Sequence, residues 1–569
     1  MRIPITPDTT IPQLFVERVR QTPDAAAYRQ CRDGVWHDMT WGEVAREVAR
    51  WQVALHKENL RPGARVGICM RNRIEWVLFD QAALGLGLVV VPLFYNDRPD
   101  NMAWCLNDCE VALLLLEDGA LWPQLRAQTP MVKRVVYVNN TAGDDAVAIG
   151  LDKWLPADGG NPEAGAARAT EMATLVYTSG TTGRPKGVML SHRNILSNTN
   201  GCLGAVTGVD ETDSFLSFLP LSHTFERSVG YYAAMAIGAQ TIYARGIPEL
   251  GEDFQSQRPT LAVCVPRIFE RIYAKVQEGL PAGSLKRRLF DMAVDIGWKR
   301  FTRRSSRWED RLWPLLDRLV ARKLRARLGG RIRILVVGAA ALAPQLARTF
   351  IGLGLPILQG YGMTEFSPVI SANRPGDNDP LSVGRPLEGV EVRTLPGGEL
   401  LVRGPSLMLG YWNNPQATAE TIDPDGWLHT GDLVRIKDGR VYITGRAKDI
   451  IVLSNGEKVP PSDAEQAILM DPAFEQVLVL GEGRSHLGLL AVSRVQDRNE
   501  LCRRANAQLS SFPGYARIHH LARIAEPWTV ENELLTPTLK PKRNKIEQRY
   551  AKEIEEMYRR ENACRMTKE

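Results

Sequence analysis

Long apolar runs are missing from this 569-residue chain. The two longest, near 78–94 and 229–244, are interrupted by polar residues or fall short of the roughly 20 apolar residues a membrane-spanning helix needs. The opening, MRIPITPDTT, lacks the basic and apolar regions of a secretory leader. Cysteine is sparse, and its eight residues (Cys31, Cys69, Cys105, Cys109, Cys202, Cys264, Cys502 and Cys564) are scattered. Cys105 and Cys109 stand four apart in an apolar helical stretch, with no second pair to complete a zinc site. The expectation is buried thiols in a reducing compartment and a cytoplasmic chain. An excess of one charge is lacking too: 71 basic against 65 acidic residues gives +6, too mild at this length to argue for nucleic acid. No internal repeat is present. What remains is 44% hydrophobic and 24% charged residues, ordinary for a globular enzyme. The length exceeds what one core supports, so at least two domains are expected.

The first part alternates strand and helix. RVGICM at 65–70, LVVVPLF at 88–94, VALLLLE at 111–117 and RVVYV at 134–138 are short apolar runs, with helical-period segments at 75–86 and 99–108 between them. Buried strands separated by helices indicate a parallel sheet covered on both faces. The Gly-, Ala-, Asp- and Pro-rich stretch 139–173 reads as a surface excursion. RIRILVV at 331–337 is the clearest strand of a second α/β run. From Gly384 short strands follow one another through Gly-containing turns, which predicts a small antiparallel sheet or barrel over 384–445. The expected fold class is α/β: a large N-terminal domain (1–445) of parallel α/β subdomains plus a small β-barrel-like subdomain, then a small α+β C-terminal domain (446–569).

The chemistry begins at TLVYTSGTTGRPKGVMLSH (174–192), an apolar strand leading into a loop of Thr, Ser and Gly that ends in Lys186. Glycines let backbone N–H groups approach an anion, hydroxyls add donors and the lysine adds charge, so the loop has the composition of a phosphate cradle. It is not a Walker loop, because Pro185 precedes Lys186 and Gly187 follows it.

This loop is similar to the signature of the adenylate-forming (AMP-binding) superfamily, which includes acyl-CoA synthetases, peptide-synthetase adenylation domains and luciferases. QGYGMTE (359–365), GWLHTGDL (426–433), YITGRAKDIIVLSNGEKVPPSDAE (442–465) and LTPTLKPKR (535–543) follow in the family's order. LPLSHTFER (219–227), PTLAVCVPRIFERI (259–272) and a basic helical insert at 285–328 most resemble long-chain fatty acyl-CoA synthetases. The resemblance implies that a fatty acid reacts with ATP to give an acyl-adenylate, and that the acyl group then passes to coenzyme A. A carboxylate attacking the α-phosphate is its own nucleophile, so the site needs alignment and charge neutralisation rather than a catalytic serine or cysteine.

By the same resemblance, Ser179, Gly180, Thr181, Thr182, Gly183 and Lys186 close over the β- and γ-phosphates, while Thr178 and Glu365 hold Mg²⁺. Tyr361 stacks on adenine, set between Gly360 and Gly362 after Gln359 in a turn that exposes its ring, with the backbone of Gly338, Ala339 and Ala340 nearby. Thr364 meets the α-phosphate, Asp432 accepts the ribose hydroxyls and Arg446 reaches ribose or phosphate from the domain junction. His223 has two readings, a satisfied core histidine or a partner of the acyl carboxylate. The C-terminal domain is implied to swing about Lys448, presenting Lys540 for adenylation and then Gly456, a close backbone approach for the pantetheine arm, for thioester formation. Lys540 stands in Thr-Leu-Lys where many relatives have Thr-Gly-Lys. Glu465 and Ser462 read as a helix-capping box after Pro460-Pro461.

The insert 285–328 is basic, with interleaved Trp, Phe and Leu. Such a helix lies on an anionic membrane surface, or it is a solvated hairpin that covers the acyl tunnel or contacts a second copy in a homodimer. Two other functions stay open beside the coenzyme A ligase: an adenylating enzyme serving a carrier protein, and a non-catalytic, membrane-associated acyl-nucleotide binder. The second expects Lys186, Glu365 or Lys540 to be lost, and all three are present.

Overall fold

The computed structural model describes residues 2–139, 143, 145–165, 167–178, 184–281, 283–559 and 564. Among the described residues two large sheets of eight and nine strands dominate the N-terminal part. In the first, Arg65–Cys69, Val89–Pro92, Leu113–Asp118 and Arg134–Asn139 run parallel, and Met172–Thr178 joins beside Val89–Pro92. The Leu113–Glu117 run is buried on both faces, as a continuous apolar strand in a covered parallel sheet should be. The stretch 139–173, expected as a surface excursion, supplies the edge strand Ala148–Gly150 of this sheet. Three residues are too few for an apolar pattern to register.

The second sheet holds Ser214–Ser217, Gln240–Tyr243, Leu261–Cys264, Ile334–Val337 and Ile357–Gly362 in parallel. Its far edge comes from the other end of the domain, because the hairpin Ala26–Arg32 and Val35–Thr40 pairs with Gln240–Tyr243. A four-stranded antiparallel sheet follows, made of Glu391–Thr394, Glu399–Arg403, Leu428–Lys437 and Arg440–Arg446. The smaller C-terminal unit packs the helices Pro461–Ile468 and Arg498–Gln508 on a sheet of Gln476–Leu480, Leu487–Val492 and Ile518–Ile524.

Two local expectations are corrected here. Glu465 is no cap: Pro461 already opens its helix, so Ser462 lies inside it, and Glu465 instead accepts from the Val479 N–H at 2.8 Å and pairs with Arg543 at 2.7 Å. Cys502 and Cys564 are not free thiols but a disulfide, their Cα atoms 6.1 Å apart across 62 residues. Nothing in their spacing signals the pairing; the tail is brought there by the Cys564 N–H bonding to the His519 carbonyl at 2.8 Å. Cys69, Cys105, Cys109, Cys202 and Cys264 are buried thiols as expected.

The two sheets meet around a polar centre. The helix Ile74–Gly85 is buried along all twelve residues, and so is the π-helical turn Glu226–Tyr232. The helix delivers Asp80 to the Arg227 guanidinium, which also donates to Tyr232 Oη at 2.8 Å and to Thr174 Oγ1 at 2.8 Å. Tyr232 donates back to Asp80 at 3.0 Å, and Arg227 lies 5.1 Å from the centre of the Trp76 ring. Burial raises the Asp80 carboxyl, with the guanidinium opposing it. An ion pair this deep tolerates loss of both partners better than loss of one.

One residue earlier, Glu226 is buried with Oε2 unpartnered, and its other link is to Ser217. Burial pushes its carboxyl up to about 8, so it is protonated near neutrality.

Asp80→Ala, which strands the guanidinium, is expected to cost about 3–5 kcal/mol in urea unfolding, whereas Asp80→Ala with Arg227→Met costs much less. For Glu226 the folded state binds the extra proton between the ordinary 4.5 and about 8, so stability is full below that window and falls as pH rises through it. Glu226→Gln is expected to flatten this decline, read as the unfolding midpoint from about pH 5 to 8.5.

Candidate active site

The Thr-, Ser- and Gly-rich loop is flanked by two antiparallel strands. Met172–Thr178 pairs antiparallel with Lys186–Ser191, which sets Thr178 opposite Lys186. Ser179, Gly180, Thr181, Thr182 and Gly183 lie outside the described residues. The Thr178 hydroxyl makes only a long contact to the Lys186 carbonyl, 3.5 Å. Two residues of the antiparallel region, Gly410–Tyr411, leave it and pair with this hairpin. Tyr411 thereby donates to Glu365 Oε1 at 2.8 Å while its ring centre lies 5.0 Å from the Lys186 ammonium. Thr364 and Glu365 sit on the short 3₁₀ turn Thr364–Phe366, tied down by the Met408 N–H to the Glu365 carbonyl at 2.9 Å. Among the described residues Tyr411 engages one Glu365 oxygen, and Thr178 keeps only its long contact; a carboxylate and a hydroxyl are the hard oxygen donors that could hold Mg²⁺.

The residues expected to meet the nucleoside stand on strands. Tyr361 lies in Ile357–Gly362, not in a turn, and donates to Asp432 Oδ2 at 2.6 Å. Asp432 lies in Leu428–Lys437 in register with Arg446, whose Nε reaches Asp432 Oδ1 at 2.8 Å. Each carboxylate oxygen keeps a second lone pair for a hydroxyl. The Gln359 amide is spent on structure, accepting from the Leu342 N–H at 3.2 Å and donating to the Pro380 carbonyl at 2.6 Å. This ties down the bend through Gly338, Ala339 (φ +68°) and Ala340 after Ile334–Val337.

His223 sits three residues before the buried π-helical turn. Its Nδ1 accepts the Phe225 N–H at 3.1 Å, which leaves the proton on Nε2. Burial, and then the Lys540 charge, depress the imidazole to about 4, so it is neutral and a donor. The segment ahead of it is held by Asn72, which donates to Ser217 Oγ and the Leu219 carbonyl at 3.0 and 2.6 Å and accepts from the Leu221 N–H at 2.8 Å.

Lys540 reaches the same cleft from the far end of the chain. Solvent reaches its residue, yet the ammonium is crowded enough that protein burial lowers it, with Arg446 next and Asp432 opposing. Lys540 caps a small hairpin in which the Thr536 N–H bonds its carbonyl at 2.9 Å and the Lys540 N–H bonds Thr536 Oγ1 at 3.0 Å. Leu539, where many relatives carry glycine, holds φ +62°. That left-handed conformation costs a side chain about 1–2 kcal/mol. Lys448 is exposed on the turn after Arg440–Arg446, and Gly456 lies at φ +85° with nothing near its missing Cβ, in the turn between Ile451–Val452 and Lys458–Val459.

The structure thus gathers Thr178, Lys186 and Glu365 around Tyr411, gathers Tyr361, Asp432, Arg446, His223 and Lys540 into a second group, and leaves Gly456 on an open turn. Tyr411 and Asn72 were not legible beforehand. The GYW run around Tyr411 looks like an ordinary turn, and Asn72 acts through two backbone bonds and the Ser217 hydroxyl rather than through a motif.

A model of the family described as AMP-binding enzyme matches residues 15–412, and one described as AMP-binding enzyme C-terminal domain matches residues 448–562. "Long-chain-fatty-acid--CoA ligase FadD15" of Mycobacterium bovis is 31% identical, over 96% of this chain and 97% of that protein. "Long chain acyl-CoA synthetase 6, peroxisomal" of Arabidopsis thaliana is 31% identical, over 92% of this chain and 81% of that protein. Among solved structures, the A domain of carboxylic acid reductase from Segniliparus rugosus, with AMP and a co-purified carboxylic acid, superposes with a TM-score of 0.79 at 21% identity, over 96% and 94% of the two chains. With a family model matching residues 15–412, another matching 448–562, and relatives 31% identical over nearly the whole chain, the protein belongs to the AMP-binding enzyme family.

Proposed function

We propose that this AMP-binding enzyme activates a long-chain fatty acid in two steps on one cleft. In the first, a carboxylate oxygen bonds to the α-phosphorus of ATP, the bond to the β-phosphate oxygen breaks, and pyrophosphate leaves. In the second, the coenzyme A thiolate bonds to the acyl carbon, the bond to the AMP oxygen breaks, and the thiol proton goes to water. The observation that carries this reading is the meeting of Lys540 with His223, Arg446 and Asp432, each of which stands more than 90 positions before Lys540 in the chain.

In this reading neutral His223 donates from Nε2 to the fatty acid carboxylate without adding charge. Lys186, Lys540 and Arg446 neutralise the phosphates, and Thr364 meets the α-phosphate. Ser179, Gly180, Thr181, Thr182 and Gly183 would close over the leaving pyrophosphate. Tyr361, between Gly360 and Gly362, offers its face to adenine beside the backbone of Gly338, Ala339 and Ala340, and Asp432 takes the ribose hydroxyls. Thr178 and Glu365 would hold Mg²⁺, which supplies charge neutralisation on the phosphate oxygens. The division falls between 1–445 and 446–569, and the C-terminal unit turns about Lys448 to exchange Lys540 for Gly456. The same cleft can then hold pyrophosphate first and a thiol later. Relatives named as long-chain-fatty-acid ligases support the substrate class.

A lipid surface is the second part of the proposal. The insert folds as Leu285–Phe301 followed by a continuous rod through Arg307–Leu316, Asp317–Ala321 and Arg322–Arg327. Gly297 lets the first helix cross Pro344–Gly352 so closely that a Cβ there would lie 1.7 Å from the Gly352 carbonyl oxygen. On the rod, Trp308, Leu315 and Leu319 are 62%, 54% and 40% exposed, and their spacing puts them on one face. Arg311, Arg318 and Arg322 fall beside them, exposed, with Arg304 just ahead of the rod. An apolar stripe flanked by arginines suits an anionic bilayer. No helix among the described residues is long and apolar enough to cross a membrane.

Single-turnover assays of each half-reaction test the mechanism. Lys540→Ala is expected to slow acyl-adenylate formation by about 10²- to 10³-fold and to spare thioester formation from preformed acyl-adenylate. Lys448→Pro should do the reverse, since a fixed φ hinders the turn. Preference should rise with acyl length, each buried methylene adding about 0.8 kcal/mol until the tunnel is full. Equal loss of both steps in Lys540→Ala, or acetate as the best substrate, refutes the reading. For the lipid surface, sedimentation with anionic vesicles should show binding that weakens with salt and drops in Arg311→Ser/Arg318→Ser/Arg322→Ser at unchanged activity on soluble acids. Absence of vesicle binding with a concentration-dependent mass would assign the stripe to a second copy of the chain.

A further inference from the structure

The hairpin that carries Lys540 is seated on the N-terminal unit by a segment that belongs to none of the family motifs. Residues 96–98 lead into the helix Pro99–Asp108. Asp97 Oδ1 accepts the Arg98 N–H at 2.8 Å and the Asn101 amide at 3.1 Å, which fixes the turn. The residues on either side of Asp97 cross to the C-terminal unit. The Asn96 amide donates to the Pro537 carbonyl at 3.2 Å, inside the hairpin. The Arg98 guanidinium pairs with Glu533 at the hairpin's base, while its Nε and Nη2 hold Asp100 at 3.0 and 2.5 Å. Glu533 is further paired with Lys545.

The hairpin needs outside support. Glu533 and Leu539, at its two ends, hold φ of +67° and +62°. Side chains persist in that region only where their surroundings over-determine them. Its own bonds close the tip, from Thr536 to Lys540, but leave its placement over the cleft to Asn96 and Arg98. A lysine assists a charged transition state only when it is placed beforehand, so these contacts bear on rate although neither residue belongs to the phosphate or nucleoside sites. The Arg98–Glu533 pair is partly exposed, 27% and 39%, and pairs of that kind are weak. Weakness suits a contact that has to break once per turnover.

We propose that Asn96 and Arg98 are positioning residues for adenylation: they form a socket for the Lys540 hairpin, and the Arg98–Glu533 pair is a latch that exists only while Lys540 faces the phosphates. The proposal rests on the reading that the C-terminal unit turns about Lys448, since that turn would carry Glu533 and Pro537 away from the socket.

A double-mutant cycle on the full chain, read in the two half-reactions, tests it. Arg98→Ala and Glu533→Ala are each expected to slow single-turnover acyl-adenylate formation about 3- to 5-fold. The double variant should be no slower than either, because both act through one contact. Arg98→Lys should keep most of the rate. Thioester formation from preformed acyl-adenylate should be unchanged or faster throughout, and raising salt to about 0.5 M should narrow the gap between the native protein and Arg98→Ala in adenylation. Losses that multiply in the double variant, equal losses in both half-reactions, or no loss in adenylation overturn the latch. Lys540→Ala run alongside separates the two ideas. If it impairs adenylation alone while Arg98→Ala impairs nothing, the turning domain stands and the latch falls; if it impairs both steps equally, both fall.

Discussion

The buried contact between Arg227 and Asp80 is the constraint on which the arrangement turns. Asp80 belongs to the helix beneath the first sheet, Thr174 to a strand of that sheet, and Arg227 to the π-helical turn that packs with the second. One guanidinium therefore fixes how the two halves of the N-terminal domain meet. His223 lies four residues before it, and the phosphate hairpin continues from the strand that holds Thr174. A shift between the sheets would displace His223 and the Thr178–Lys186 hairpin together. The cost of burying an ion pair at such a junction is offset by unambiguous docking of two otherwise apolar faces, a role in specificity rather than raw stability.

Around that junction the proposed mechanism requires two anions that repel each other to be held together. In that mechanism Lys186, Arg446 and Lys540 would supply positive charge to the phosphates, while the acid would meet a histidine that burial and Lys540 keep neutral. A charged imidazole there would compete with ATP for the same carboxylate, whereas a neutral donor orients the acid and leaves its nucleophilicity largely intact. Asp432, whose carboxylate oxygens accept from Tyr361 and Arg446, would in the same mechanism meet hydroxyls rather than phosphates.

Motifs on the catalytic side were legible because their chemistry is local. A run of Thr, Ser and Gly ending in Lys186 has a phosphate cradle's composition whatever surrounds it, and alternating apolar runs show a parallel α/β sheet. The helix-cap reading of Glu465 failed for the opposite reason. Its partners, Val479 and Arg543, lie 14 and 78 residues away, and a local pattern was sufficient to mislead.

The amino-acid sequence by itself determined the kind of reaction, the succession of sheets and the order of the motifs, because periodicity, glycine content and charge act over a few residues. Only the tertiary structure decided that residues 26–40 complete the edge of a sheet built from residues 214–386, and that Tyr411 returns to bridge Glu365 and Lys186. It also decided that Cys564 closes on Cys502, and that Asn96 and Arg98 meet the hairpin of Lys540. Each of these joins segments tens to hundreds of residues apart. Such contacts are selected by the packing of whole faces and the closure of long loops, which leave no periodic trace in the residues that make them.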